Sequence, residues 1–164
     1  MPLTTTANIS GFSMSVGLPD GMTNNSAGAV VDVTTSPLVL TRTTYMGRTI
    51  TINKATGVAV TLPAATGSGD VYEFVVGTAM SGGSTTFTCA GSDKFQGNAW
   101  VISDGAAAVL GYAAVAGTST VATLNGTTQG GLAGHRIRFT DIKAARWQVE
   151  SFGAATGSEA TIFS

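Results

Sequence analysis

From Pro37 onward, apolar and polar positions alternate with period two, and the pattern predicts strands. In Thr49-Ile50-Thr51-Ile52-Asn53 both isoleucines face one side. Lys54-Ala55-Thr56-Gly57 then turns the chain, and Val58, Val60 and Leu62 form the next stripe, stopped by Pro63. Beyond a loop centred on Gly67-Ser68-Gly69, Tyr72, Phe74 and Val76 take one face and Val71, Glu73 and Val75 the other. Gly82-Gly83 separates that strand from one carrying Phe87 and Cys89 on a common face. Trp100-Val101-Ile102 leads to a turn at Asp104-Gly105, and residues 108–112 and 118–124 read as a hairpin joined through Gly117. A glycine-dense loop over 126–134 precedes Arg136-Ile137-Arg138-Phe139, and the last strand runs from Trp147 to Phe152, with Trp147 and Val149 on one face.

Short Thr- and Val-rich runs spaced by glycine turns are the pattern of an all-β sandwich or barrel. No stretch of helical length shows an apolar stripe with caps, and no heptad repeat is present. The expected fold is an all-β, Gly/Thr-rich antiparallel sandwich or barrel over 37–164. Residues 1–36 differ: turn formers dominate, among them Pro19-Asp20-Gly21 and Asn24-Asn25. They nevertheless keep Phe12, Met14 and Val16, then Val30, Val31 and Val33. This segment is expected to be an N-terminal arm, extended or partly disordered when free, that buries those side chains against a neighbour and adds a strand to a sheet edge.

Composition narrows the function classes. The chain has 164 residues and a net charge of -1, and only 10% of residues are charged against roughly 25% in ordinary soluble domains. With no basic block there is no electrostatic footprint for nucleic acid. The apolar fraction, 43%, argues against intrinsic disorder. No apolar run approaches the roughly 20 residues of a membrane span, and no secretory signal is expected in the first twenty. The three sequons, at Asn8, Asn24 and Asn125, are accordingly read as chance.

Chemistry is sparse. The single cysteine, Cys89, cannot form an internal disulfide and reads as a small buried hydrophobe. His135, the only histidine, starts a strand and has no G-x-S-x-G partner, so it reads as an edge or interface residue. One Cys and one His leave a zinc site two ligands short, and the scattered aspartates lack calcium-loop spacing. Gly67-Ser68-Gly69-Asp70 lacks the Lys-Ser/Thr ending of a phosphate loop. No catalytic residue, cofactor or metal is expected. Arg136 and Arg138 project from one strand face, with Lys143 and Arg146 following. They form either a solvated face or a polar contact to an acidic partner, where guanidinium groups pair bidentately. Trp100 and Trp147 read as core.

A surface so poor in charge is mostly Thr, Ser, Ala, Gly and Asn, which desolvate cheaply, so symmetric assembly is expected. The segment GRTITINKATGVAVTLPAATGSGDVYEFVV at 47–76 resembles a recurring module of tailed-bacteriophage virion proteins. Gly97 through Ile102, the glycine-rich stretch before His135, and Ala145-Arg146-Trp147-Gln148-Val149 extend the likeness over about 38–152. It is most similar to small head decoration, or cement, proteins. That resemblance implies a β-rich homotrimer on the outer capsid surface of the virion, assembled in the host cytoplasm. Its partners would be the major capsid protein and itself, with no nucleic acid and no membrane. The alternative is a fibre or spike module that binds a host-surface receptor or glycan.

Overall fold

The computed structural model describes residues 30–103, 105 and 108–164, together with the backbone of two strands nearer the N-terminus. Those two, β1 (Thr4–Ile9) and β2 (Phe12–Gly17), pair antiparallel with each other. The rest form two sheets from β3 (Val31–Val33), β4 (Leu38–Val39), β5 (Thr49–Ile52), β6 (Ala59–Thr61), β7 (Val71–Val76), β8 (Thr85–Thr88), β9 (Lys94–Ser103), β10 (Val109–Ala114), β11 (Val121–Leu124), β12 (Arg136–Lys143) and β13 (Arg146–Ala155). A single helical turn, α1 (Arg42–Tyr45), joins β4 to β5. No helix among the described residues is long and apolar enough to cross a membrane.

The fold is all-β. One sheet has seven strands in the order β10-β9-β13-β12-β7-β5-β3, and the other has four, β11-β8-β6-β4. Their inner faces share one apolar core: Ile50, Ile52, Phe74 and Phe139 from the first meet Val60, Phe87 and Leu124 from the second. Aromatic contacts join the layers, with the Phe74 and Phe87 rings edge-on at 4.8 Å and Phe87 and Phe139 tilted at 5.0 Å. Such pairs add roughly 0.5–1.5 kcal/mol beyond the area they bury.

Pairing departs from the purely antiparallel expectation. From β3 to β9 successive strands alternate between the two sheets, so those that become neighbours within a sheet run parallel. Thus β3 pairs with β5, β5 with β7, β4 with β6 and β6 with β8, all parallel, and β13 joins β9 in the same sense. In the first four pairs the crossover is itself a strand of the facing layer, which supplies the long connection that parallel pairing needs. Period-two alternation says which face a residue takes and is silent on the direction of its neighbour.

The expected hairpin between 108–112 and 118–124 does not form. β10 pairs with β9, whereas β11 crosses to the facing sheet and pairs with β8. A tight turn held by Ser119 N–H to the Val115 carbonyl and Val115 N–H to Ser119 Oγ redirects the chain. Crossing over places Ala122 and Leu124 in the core, where both are fully buried.

Residues 31–33, grouped by sequence with the arm, form the edge strand of the seven-stranded sheet. Val33 is buried in the core, and Asp32 accepts a hydrogen bond from the Asn53 side chain.

Candidate functional site

The outward face of the seven-stranded sheet carries the features that distinguish this molecule's surface. Strand register sets them in rows. Trp100 on β9 lies beside Phe152 on β13, which lies beside Arg136 on β12. In the next row, Glu150 on β13, Arg138 on β12 and Glu73 on β7 are neighbours. Neighbouring strands stand about 4.8 Å apart and same-face residues along a strand about 6.6 Å apart, so the six side chains cover one small patch. They line a shallow depression of about 270 Å³, together with Ser151. A second depression of about 120 Å³, between Arg48, Thr49 and Val71, shares Glu73 and Arg138 with the first.

Both arginines foreseen on one face are there, and each pairs within the chain. Arg136 donates to Glu73, and Arg138 lies 3.8 Å from Glu150 with both side chains about half exposed. Pairs this exposed contribute about 0–1 kcal/mol each, so they do not explain the fold. They make the patch electrically balanced, with donors and acceptors side by side.

Two aromatic rings stay in solvent on this patch: Trp100 is 43% exposed and Phe152 54%. Trp100 is therefore not core, contrary to expectation, while Trp147 is, packing its ring 5.8 Å from Tyr72. Parity explains the difference. Phe95, Ala99 and Val101 point inward along β9, which turns Trp100 outward. Phe152 likewise has the opposite parity to Trp147 and Val149, a signal the sequence already contained. Glu73 and Glu150 became site residues only through strand order.

The arm candidates divide. The side chains of Phe12, Met14 and Val16 lie outside the described residues. Val30 is exposed, Val31 packs half-buried against the core, and Val33 is inside it.

Beneath the patch sits His135, buried rather than at an edge. Its Nδ1 accepts the Gly131 N–H at 3.2 Å, so Nε2 carries the proton and donates to Ser151 Oγ at 2.8 Å. Burial pushes its pKa down to about 4, keeping the ring neutral. Gly153 and Gly130 flank it because a Cβ at either position would run into the imidazole. Ser151 is itself only 2% exposed and the dyad has no carboxylate hydrogen-bonded to it among the described residues, so its chemistry is that of a buried strut. Burial, then Asp93, push the Cys89 thiol up to about 12, which leaves it protonated and unreactive. Among the described residues no three His, Cys, Asp or Glu side chains gather as a metal site.

The Gly67-Ser68-Gly69 loop does cradle an anion, and that anion is internal: the Asp141 carboxylate accepts N–H groups from Thr66, Gly67 and Ser68. Compared with known proteins, the chain matches no family model, no curated protein and no solved structure.

Proposed function

We propose that this chain is a structural virion protein that decorates and stabilises a phage capsid, binding the major capsid protein lattice as a homotrimer. The observation that carries the structural reading is strand β10. It is the outermost strand of the larger sheet, six residues long, and its Val109-Leu110-Gly111-Tyr112-Ala113-Ala114 run has no charge and no proline. Val109 is 58% exposed and Leu110 41%, on opposite faces, with Val115 exposed just beyond. A long apolar edge without a charge, bulge or cover templates strand addition, and proteins that live alone guard against it.

The other edges are guarded. The C-terminal segment closes β11, with Thr123 N–H on the Ile162 carbonyl and Ser164 N–H on the Val121 carbonyl. β3 is three residues long and carries Asp32, and β4 is two. Among the described residues only β9 pairs with β10, and a free outer edge fits a protein whose edge is covered by a neighbour in an assembly. The likeness of 38–152 to head decoration proteins supports the capsid as that assembly, with catalysis and cofactors playing no part.

The test has two arms. Sedimentation equilibrium at micromolar concentration should return three times the 16.4 kDa chain mass. Cryo-electron microscopy of purified particles should place the protein on the outer shell against the major capsid protein. A monomer both free and on the particle would remove the trimer, and density confined to a tail or fibre would replace the decoration reading.

A further inference from the structure

The depression on the outer sheet face is unused by that reading. Strand addition at β10 extends the sheet in its own plane, so it leaves the outer face open. We propose that this depression is a binding site for a neutral saccharide, with Trp100 and Phe152 as the stacking platform and the Arg136–Glu73 and Arg138–Glu150 pairs as the hydroxyl-binding groups.

Four properties of the patch select that ligand class. The first is charge. Two guanidinium groups and two carboxylates, each paired with its opposite, cancel, so neither a phosphate nor a cation meets an uncompensated partner. The second is hydrogen-bonding type. Carboxylates accept and guanidinium groups donate in a planar fork, so adjacent hydroxyls, which do both, can be met without breaking charge balance. Third, Trp100 and Phe152 occupy neighbouring register positions and are both about half exposed, which offers adjacent apolar surface to the C–H face of a ring. Aromatic side chains with one wet side are suited to such amphipathic partners.

The fourth is size. About 270 Å³ lies just below the roughly 300–1,000 Å³ of sites that enclose drug-sized ligands, so the depression suits one or two sugar rings. The charged row stands about 6.6 Å from the aromatic row, one same-face step along the strands. A ring lying on the aromatics therefore reaches the charged groups with its edge. A shallow site of this kind binds weakly, with a Kd of roughly millimolar order.

The chain has two tryptophans, and only Trp100 is solvent-exposed, so it reports directly on this site. Iodide quenching of tryptophan emission would be measured on the full chain with and without maltose, cellobiose, lactose and chitobiose, each to tens of millimolar. Saturation-transfer NMR on the same sugars gives a readout that needs no tryptophan. At least one sugar should shield Trp100 from iodide and receive saturation. Trp100→Ala and Phe152→Ala should weaken the transfer at least tenfold, Glu150→Gln about threefold, and Trp100→Tyr should restore most of it. In the variants that lack Trp100 the emission of the buried Trp147 shows that the fold is intact, and circular dichroism shows it in all.

Absence of shielding across the panel, or undiminished transfer to Trp100→Ala, overturns the proposal. So does a Trp100 that iodide cannot reach before sugar is added, in a species heavier than a monomer; the face would then be an interface between copies. Particle binding by Trp100→Ala is scored separately, so loss of the sugar site and loss of the decoration role are told apart.

Discussion

The Asp141 carboxylate holds Ser68 at two points: its Oδ2 accepts the Ser68 N–H at 3.1 Å and the Ser68 hydroxyl at 2.9 Å. Thr66 N–H reaches the same oxygen at 2.9 Å, and Gly67 N–H reaches Oδ1 at 2.7 Å. Successive backbone N–H groups thus form a nest whose anion is supplied by β12 of the same chain. The arrangement locks the loop after Pro63 onto the end of the large sheet.

Replacing Asp141 by Asn keeps the shape but turns one acceptor into a donor that faces N–H groups. Hydrogen bonds to a charged group contribute roughly 1.5–3 kcal/mol each, and a buried donor left unmet costs a similar amount. Asp141→Asn should therefore destabilise the protein by about 3 kcal/mol, lowering Tm by roughly 6–12 °C for a chain of this size. Thermal melts followed by circular dichroism check this; an unchanged Tm would show that the nest does not hold the fold.

The same carboxyl sets an acid limit. Burial pushes its pKa up, but the hydrogen bonds from Thr66, Gly67 and Ser68 outweigh that and hold it below the ordinary 3.8. A depressed folded-state value means the stabilisation is complete above the unfolded value and is lost as pH falls through the folded one. Urea unfolding midpoints should drop below about pH 4, and Asp141→Asn should flatten that drop.

His135 governs a different window. Its folded pKa of about 4 lies below the ordinary 6.5, so between those values the unfolded chain binds a proton that the folded chain refuses. Stability should fall as pH decreases from about 6.5 toward 4, by on the order of 3 kcal/mol at 1.36 kcal/mol per pH unit. His135→Asn, which can still offer an acceptor toward the Gly131 N–H, should cost some stability at pH 7 and remove most of that slope. Unfolding titrations at pH 7, 6, 5 and 4.5 separate this from the Asp141 effect; an unaltered slope in the variant would place the proton elsewhere.

The two tryptophans should respond very differently to truncation. Trp147→Ala empties a core site against Tyr72 and should cost about 3–5 kcal/mol. Trp100→Ala, on the open face, should change stability by less than about 0.5 kcal/mol. Denaturant melts of both variants decide it, and a large loss in Trp100→Ala would mean that residue braces the sheet.

Edge protection can be added by hand. Leu110→Lys puts a charge on β10 where the side chain is already 41% exposed, so folding should be nearly unaffected. Association should weaken at least tenfold in sedimentation equilibrium. Unchanged association would exclude β10 as the joining edge.

For the arm, removing residues 2–29 takes β1 and β2 but leaves every strand of the seven- and four-stranded sheets, whereas a cut at 36 would take β3 and the buried Val33 as well. The shorter truncation should keep its melting temperature and lose affinity for undecorated capsids in co-sedimentation. Equal capsid binding by both forms would remove the arm from the docking reading.

Alternation by itself determined where most strands lie and which side chains point together. Ile50 with Ile52, and Tyr72 with Phe74 and Val76, were legible because side-chain direction in a strand is local geometry with period two. Arg136 and Arg138 were paired on one face by the same reasoning. Strand partners were not legible, since a parallel and an antiparallel neighbour impose the same alternation. That is why the 108–112 and 118–124 runs looked like a hairpin and why Glu73, Glu150 and Arg138 could not be placed in one row. Only the tertiary structure decided that Asp141 would fill a loop some seventy residues earlier, and that His135 would sit in a pocket made by two glycines. Those contacts join positions whose separation along the chain carries no periodic signal, and they exist because buried polar groups must find partners wherever the packed sheets bring one within reach.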